Sequence, residues 1–163
     1  MSATAFPEFW LRGPIEGVPP LLQPVAHALL QADNEVKLMM ENFPEELLWV
    51  KPAGMASPAF HLQHLSGVLD RLFTYAQGAS LSNEQLTSLK GEGVINEDIK
   101  TALLIEQFNR QVRQCIERLK STAENQLTQT RKVGRAGLPS TVIGLLFHAA
   151  EHTMRRRTIT GYS

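Results

Sequence analysis

Ser57-Pro58-Ala59-Phe60-His61-Leu62-Gln63-His64-Leu65-Ser66-Gly67-Val68-Leu69-Asp70-Arg71-Leu72-Phe73 is the stretch whose reading decides how this chain folds. Serine followed by proline reads as a helix N-cap with proline at the first helical position. From there Phe60, Leu65, Val68, Leu69, Leu72, Phe73 and Tyr75 spread over one broad arc of a helix that turns about 100° per residue. Gln63, Ser66, Asp70 and Thr74 take the remaining face. Gly78 supplies a stop after Gln77. Two imidazoles, His61 and His64, fall inside the apolar arc, so they face other helices rather than bulk water.

Three further long helices follow from the same kind of pattern. Upstream, Val25, Leu29, Ala32, Val36, Met39, Met40 and Phe43 form a stripe at spacings of three and four, predicting a helix from Pro24 to about Asn42. Downstream, Leu104, Ile105, Phe108, Val112, Cys115, Ile116 and Leu119 form another, opposite Glu106, Arg110, Arg113 and Glu117. Asn96 is its expected cap and Thr122 its expected end. The last helix is expected to open at Pro139-Ser140 and run to about Thr158, with Val142, Leu145, Leu146 and Ala149 marking its core direction. Between the second and third long helices, Ser82-Asn83-Glu84-Gln85 has capping-box spacing and predicts a short helix through Leu89. Residues 123–138 are polar and contain glycine, and are expected to be loop. No useful length of chain alternates with period two.

These elements predict an all-α protein: a four-helix bundle over residues 24–163, with connections long enough for crossovers. Before it, Pro7, Pro14, Pro19, Pro20 and Pro24, with Gly13 and Gly17 among them, predict an extended N-terminal arm over residues 1–23. Phe6, Phe9 and Trp10 on that arm need an apolar surface to lie on.

With 163 residues, 43% hydrophobic and 20% charged, the chain is large and apolar enough for one buried core. Sixteen basic and sixteen acidic residues cancel. A nucleic-acid binder working through bulk charge is clearly basic, so that class is disfavoured. The single cysteine, Cys115, cannot form an internal disulfide, which fits a reducing compartment. No apolar run approaches the roughly 20 residues of a membrane span, and residues 1–12 lack a secretory pattern. The expectation is a soluble, cytoplasmic protein.

Function rests on the histidines. His148 and His152 stand four residues apart on the last helix, one turn apart on the flank of its core face. Two imidazoles at that spacing can share one metal ion, and a third from the facing helix leaves a coordination position open for water or substrate. Imidazole ligands do not choose among zinc, nickel, iron and copper. The competing reading is that these histidines are packed, hydrogen-bonded core. His27 points away from its helix's stripe and reads as a surface or arm contact. Cys115, inside its stripe, reads as inert core. Asp70 and Arg71 read as a structural or interface pair. Glu151, about 100° from each neighbouring histidine, reads as a salt-bridge partner, with orientation of a ligand as the alternative.

Residues 58–72 together with Phe147-His148-Ala149-Ala150-Glu151-His152-Thr153 resemble the second-helix and last-helix signatures of the DinB superfamily, which includes the YfiT-like proteins. The order and spacing of the four long helices, residues 24–158, agree with it. The resemblance implies a crossover four-helix bundle, often homodimeric. It also implies one divalent metal on three histidines, with His64 as the second-helix ligand and His61 as its fallback. His148 and His152 complete the set if the family's last-helix pair falls there. If it falls on positions 152 and 156, Arg156 replaces a ligand, and a permanently protonated arginine cannot bind a cation. Some relatives are transferases or isomerases dependent on a low-molecular-weight thiol, and others are proposed hydrolases. The resemblance thus implies a metal-dependent enzyme acting on a small-molecule substrate. The alternative is a metal-free bundle serving as a binding or stress-response module.

The last helix closes on Arg155-Arg156-Arg157. Cations there offset the helix dipole, each by roughly 0.3–1 kcal/mol. The computed direction of Arg156, near the histidine flank, also makes it a candidate to hold an anionic group of the substrate.

Overall fold

The computed structural model describes residues 6–155. The protein is mostly helical, built on α1 (Gln23–Met39), α2 (Pro58–Ala76), α3 (Asn83–Gly91), α4 (Thr101–Lys120) and α5 (Val142–Arg155). The four long helices share one core. α2 packs on α4 and α5, and α1 packs on the same two. Leu29 of α1, Leu62, Leu65 and Leu69 of α2, Leu104, Phe108 and Val112 of α4, and Leu146 of α5 are fully enclosed. All of these except Leu62 are stripe residues expected from spacing, so the apolar periodicity directs each helix inward.

Local chemistry sets the helix starts. Ser57 caps α2, its hydroxyl accepting from the Phe60 N–H, with Pro58 in the first turn. Ser82 and Gln85 form a complete capping box at α3. α4 differs from expectation. Asn96 makes a local turn, accepting from the Asp98 N–H at 3.1 Å, and the helix begins only at Thr101. Its first N–H is served from a distance: the Glu45 carboxylate accepts from Thr101 at 3.2 Å. A carboxylate there suits the positive end of the helix dipole.

Two expectations are corrected. The chain is not all-α, because residues 130–141 form an antiparallel hairpin, β1 (Thr130–Val133) and β2 (Leu138–Thr141), with Arg131 opposite Ser140. Gly134 and Gly137 take left-handed φ values of 70° and 63° and close the turn, the Gly137 N–H donating to the Gly134 carbonyl. Four-residue strands are too short to show alternation above the noise of a polar loop. The hairpin consumes Pro139 and Ser140, so α5 starts at Val142, where the Thr141 hydroxyl accepts from the Gly144 N–H at 3.0 Å.

The arm is also not simply extended. Residues 6–22 carry two single-turn 3₁₀ segments, Phe9–Leu11 and Pro20–Leu22. Proline is compatible with a first helical turn, so the cluster ends in helix rather than excluding it. Val18 and Leu22 enter the core. The Gln23 side chain holds the arm by donating to the Ile15 and Val18 carbonyls and accepting from the Ile15 N–H. His27 is the arm contact expected of it, with Nε2 2.9 Å from the Gly13 carbonyl.

No helix among the described residues is long and apolar enough to cross a membrane.

Candidate metal centre

α2 and α5 bring three imidazoles together where the two helices meet, His64 part-buried and His148 exposed. The His64 and His152 ring centres lie 5.4 Å apart and those of His148 and His152 5.6 Å apart, both edge to face. Imidazoles bound to one tetrahedral ion through nitrogens about 2.1 Å from it have ring centres roughly 5 Å apart. The two spacings therefore match what a shared ion requires. As they stand, no three His, Cys, Asp or Glu side chains among the described residues form a finished ligand set.

Each outer histidine is held from behind by a carboxylate. The Nδ1–H of His64 donates to Glu92 Oε2 at 2.8 Å, and that of His148 to Glu151 Oε1 at 2.7 Å. Burial pushes the Glu92 carboxyl up, but the hydrogen bonds from His64 and Arg71 and the Arg71 charge outweigh it, leaving it below the ordinary carboxylate value. Glu151 is lowered in the same way: slight desolvation raises it, while the His148 hydrogen bond and Arg155 lower it further. An ionised carboxylate can only accept, so in each pair the proton sits on Nδ1. In the neutral imidazole the Nε2 lone pair is then available to a metal, the arrangement that commonly orients histidine ligands.

Glu92 lies beyond the end of α3, far from both histidine motifs in sequence. Three α2 side chains fix it and its neighbour: Gln63 accepts from the Gly93 N–H at 2.8 Å, His64 and Arg71 hold the carboxylate, and Arg71 Nη1 lies 2.7 Å from Oε1. Gly67 is what lets the carboxylate approach. A Cβ there would collide with Glu92 Oε1 and Arg71 Nη1. A glycine inside a helix costs about 1 kcal/mol against alanine, and here that cost makes room for a buried ion pair. Spacing alone did not reveal Glu92. The available signals were the mid-helix glycine and the Arg71 one turn beyond it.

Phe60 completes the wall, its ring stacked on His64 with centres 5.3 Å apart. His61, the fallback ligand, lies with its ring edge-on to Phe60, centres 5.5 Å apart. Asp70 and Arg71 do not form a pair with each other. Asp70 Oδ2 accepts from Gln85 on α3 at 2.7 Å, so the two neighbours dock successive parts of the α3 region onto α2. Arg156, the candidate for an anionic substrate group, lies outside the described residues.

Cys115 stays out of the site. It is fully buried in α4, and burial raises its thiol to about 12. In the unfolded chain the thiol gives up its proton near 9, so between those values the unfolded state binds fewer protons and stability falls as pH rises. The stability gap between wild type and Cys115→Ala, measured by urea unfolding, is expected to shrink by about 1.4 kcal/mol per pH unit above pH 9. A pH-independent gap contradicts the assignment.

A mostly helical chain with histidines from two helices meeting at a corner defines a class of helical proteins rather than a particular chemistry. The sequence profile of the DinB superfamily matches residues 28–159, covering most of α1 and all of α2 to α5. The chain belongs to the DinB superfamily. No curated protein matches it at a significant level.

Proposed function

We propose that His64, His148 and His152 hold one divalent metal ion and that the protein is a metal-dependent enzyme of the transferase or hydrolase type. The observation that supports this is the convergence of three imidazoles, the outer two fixed at Nδ1 by Glu92 and Glu151 so that Nε2 is left for the ion. The fold reading beneath it is a crossover four-helix bundle. α1 and α2 are consecutive in the chain, yet each packs mainly on α4 and α5.

A bound divalent ion supplies Lewis acidity, lowering the pKa of a coordinated water or thiol enough to make a nucleophile at neutral pH. The protein's own residues do the rest. Glu92 and Glu151 keep His64 and His148 in the tautomer that donates a lone pair. Arg71 neutralises the Glu92 charge that would otherwise be buried alone. Phe60 covers the His64 ring and limits water on that side. Three protein ligands leave a position for a small-molecule substrate or a low-molecular-weight thiol, and we assign Arg156 to an anionic group on that molecule. A homodimer in the cytoplasm is the setting this reading carries.

The edge-to-face contacts favour a second reading, in which the imidazoles are packed aromatic surface of a metal-free binding or stress-response module. Cobalt(II) separates the two. Protein loaded with cobalt is expected to show ligand-field absorption that changes when a small thiol is added, and His148→Ala is expected to lose it. A spectrum identical to aqueous cobalt rejects the metal-dependent reading.

A further inference from the structure

We infer that the hairpin and the C-terminal end of α2 form a second binding site, for a small polyvalent phosphate. A depression of about 710 Å³ lies between the β1–β2 turn and the residues that follow α2. Arg131, Lys132 and Arg135 line it, with Tyr75 on the α2 side, and no carboxylate is among its lining residues. In a chain whose formal charge is zero, three cations on one concave surface are a marked segregation. The larger cleft, about 1070 Å³ between α2 and α4, is lined by Asp70, Glu92, Glu97 and Asp98 against Arg110 alone.

The cations are not equivalent. Arg131 is already committed: its Nε donates to the Ala76 carbonyl at 2.8 Å and its Nη1 to the Thr130 carbonyl at 3.0 Å. It offsets the negative end of α2 and fixes the position of the hairpin. Lys132 and Arg135 are exposed and make no hydrogen bond or ion pair among the described residues. Gly78, Gly134 and Gly137, all with positive φ, leave part of the surface bare, and a Cβ at Gly134 would meet nothing within 4 Å. A Cβ at Gly78 would touch the Arg131 side chain and one at Gly137 the Lys132 side chain, so these glycines let the two cations lie close over the backbone.

The charge and concavity favour a compact ligand with several negative charges over a polymer. Nucleic-acid binding draws on many phosphate contacts spread over an extended surface, and here the cations are confined to one turn. The site stands apart from the histidines: residues 64 and 76 are separated by about 18 Å along α2 at 1.5 Å per residue.

Calorimetric titration of the full chain with inorganic pyrophosphate tests this. One equivalent per chain is expected, weakening as salt screens the charges. The double variant Lys132→Ala/Arg135→Ala is expected to lose at least tenfold in affinity with its melting temperature unchanged. His148→Ala is expected to bind as wild type does. No binding at millimolar pyrophosphate, equal binding by the double variant, or loss in His148→Ala overturns the proposal, the last by placing the anion at the histidine centre. A short DNA duplex that binds more tightly than pyrophosphate through the same two residues also overturns it, in favour of a nucleic-acid surface.

Discussion

Glu92→Ala is expected to destabilise the protein by about 3 kcal/mol, near the low end of what removing one partner of a buried ion pair costs. The Glu92 side chain is 6% exposed and that of Arg71 12%, so the alanine variant strands a guanidinium with little water to replace its partner. The pair borders the cleft between α2 and α4, which keeps the expected cost from the high end. The more specific prediction concerns Gly67. In wild type a Cβ at that position meets the carboxylate and the guanidinium, so Gly67→Ala is expected to destabilise. With Glu92 already alanine, only the mobile end of Arg71 stands in the way, and the helix gains about 1 kcal/mol from losing its glycine. Gly67→Ala is therefore expected to change sign between the two backgrounds, a coupling that a double-mutant cycle in urea reads directly. Additive effects contradict the account of why α2 carries a glycine.

Divalent metal is expected to raise the unfolding free energy by about 2.7 kcal/mol at a free concentration one hundred times its dissociation constant, the increment for an ion held at the proposed site of the folded chain alone. His152→Ala is expected to abolish that increment. This ring is the one that meets both others, and without it the remaining two imidazoles come from different helices. Glu92→Gln, which cannot hold the His64 tautomer as an ionised carboxylate does, is expected to weaken binding by about 10- to 100-fold. A metal increment of the same size in wild type and His152→Ala places the ion elsewhere.

The long helices were legible because their signals are local and repeated. Leu104, Phe108, Val112, Cys115 and Leu119 fall on one face of α4 by spacing alone, and all five are buried. The capping box at Ser82 was legible because its two residues lie in one turn. What escaped depends on partners distant in sequence. Glu45 caps α4 from 56 residues away, and Glu92 reaches His64 across 28. Neither contact leaves a periodicity to read. The hairpin escaped for another reason: each strand is four residues long, and Pro139 argues against a strand although it is tolerated at an edge. At the centre, helix direction placed His64, His148 and His152 on faces that could meet. Their approach rests on how α2 packs against α5, which no single helix encodes. The role of Glu151 was only half legible: its salt bridge to Arg155 was within reach, while its hold on His148 needed the side-chain geometry.

The central claim is that the imidazoles at 64, 148 and 152 share one ion. The direct measurement is elemental analysis of protein made without a polyhistidine tag and equilibrated with excess zinc or nickel, then freed of unbound ion. One equivalent per chain is predicted, falling to a small residue in each single alanine variant while the helical content is unchanged. Wild type that retains no metal, or three variants that retain a full equivalent, would contradict it.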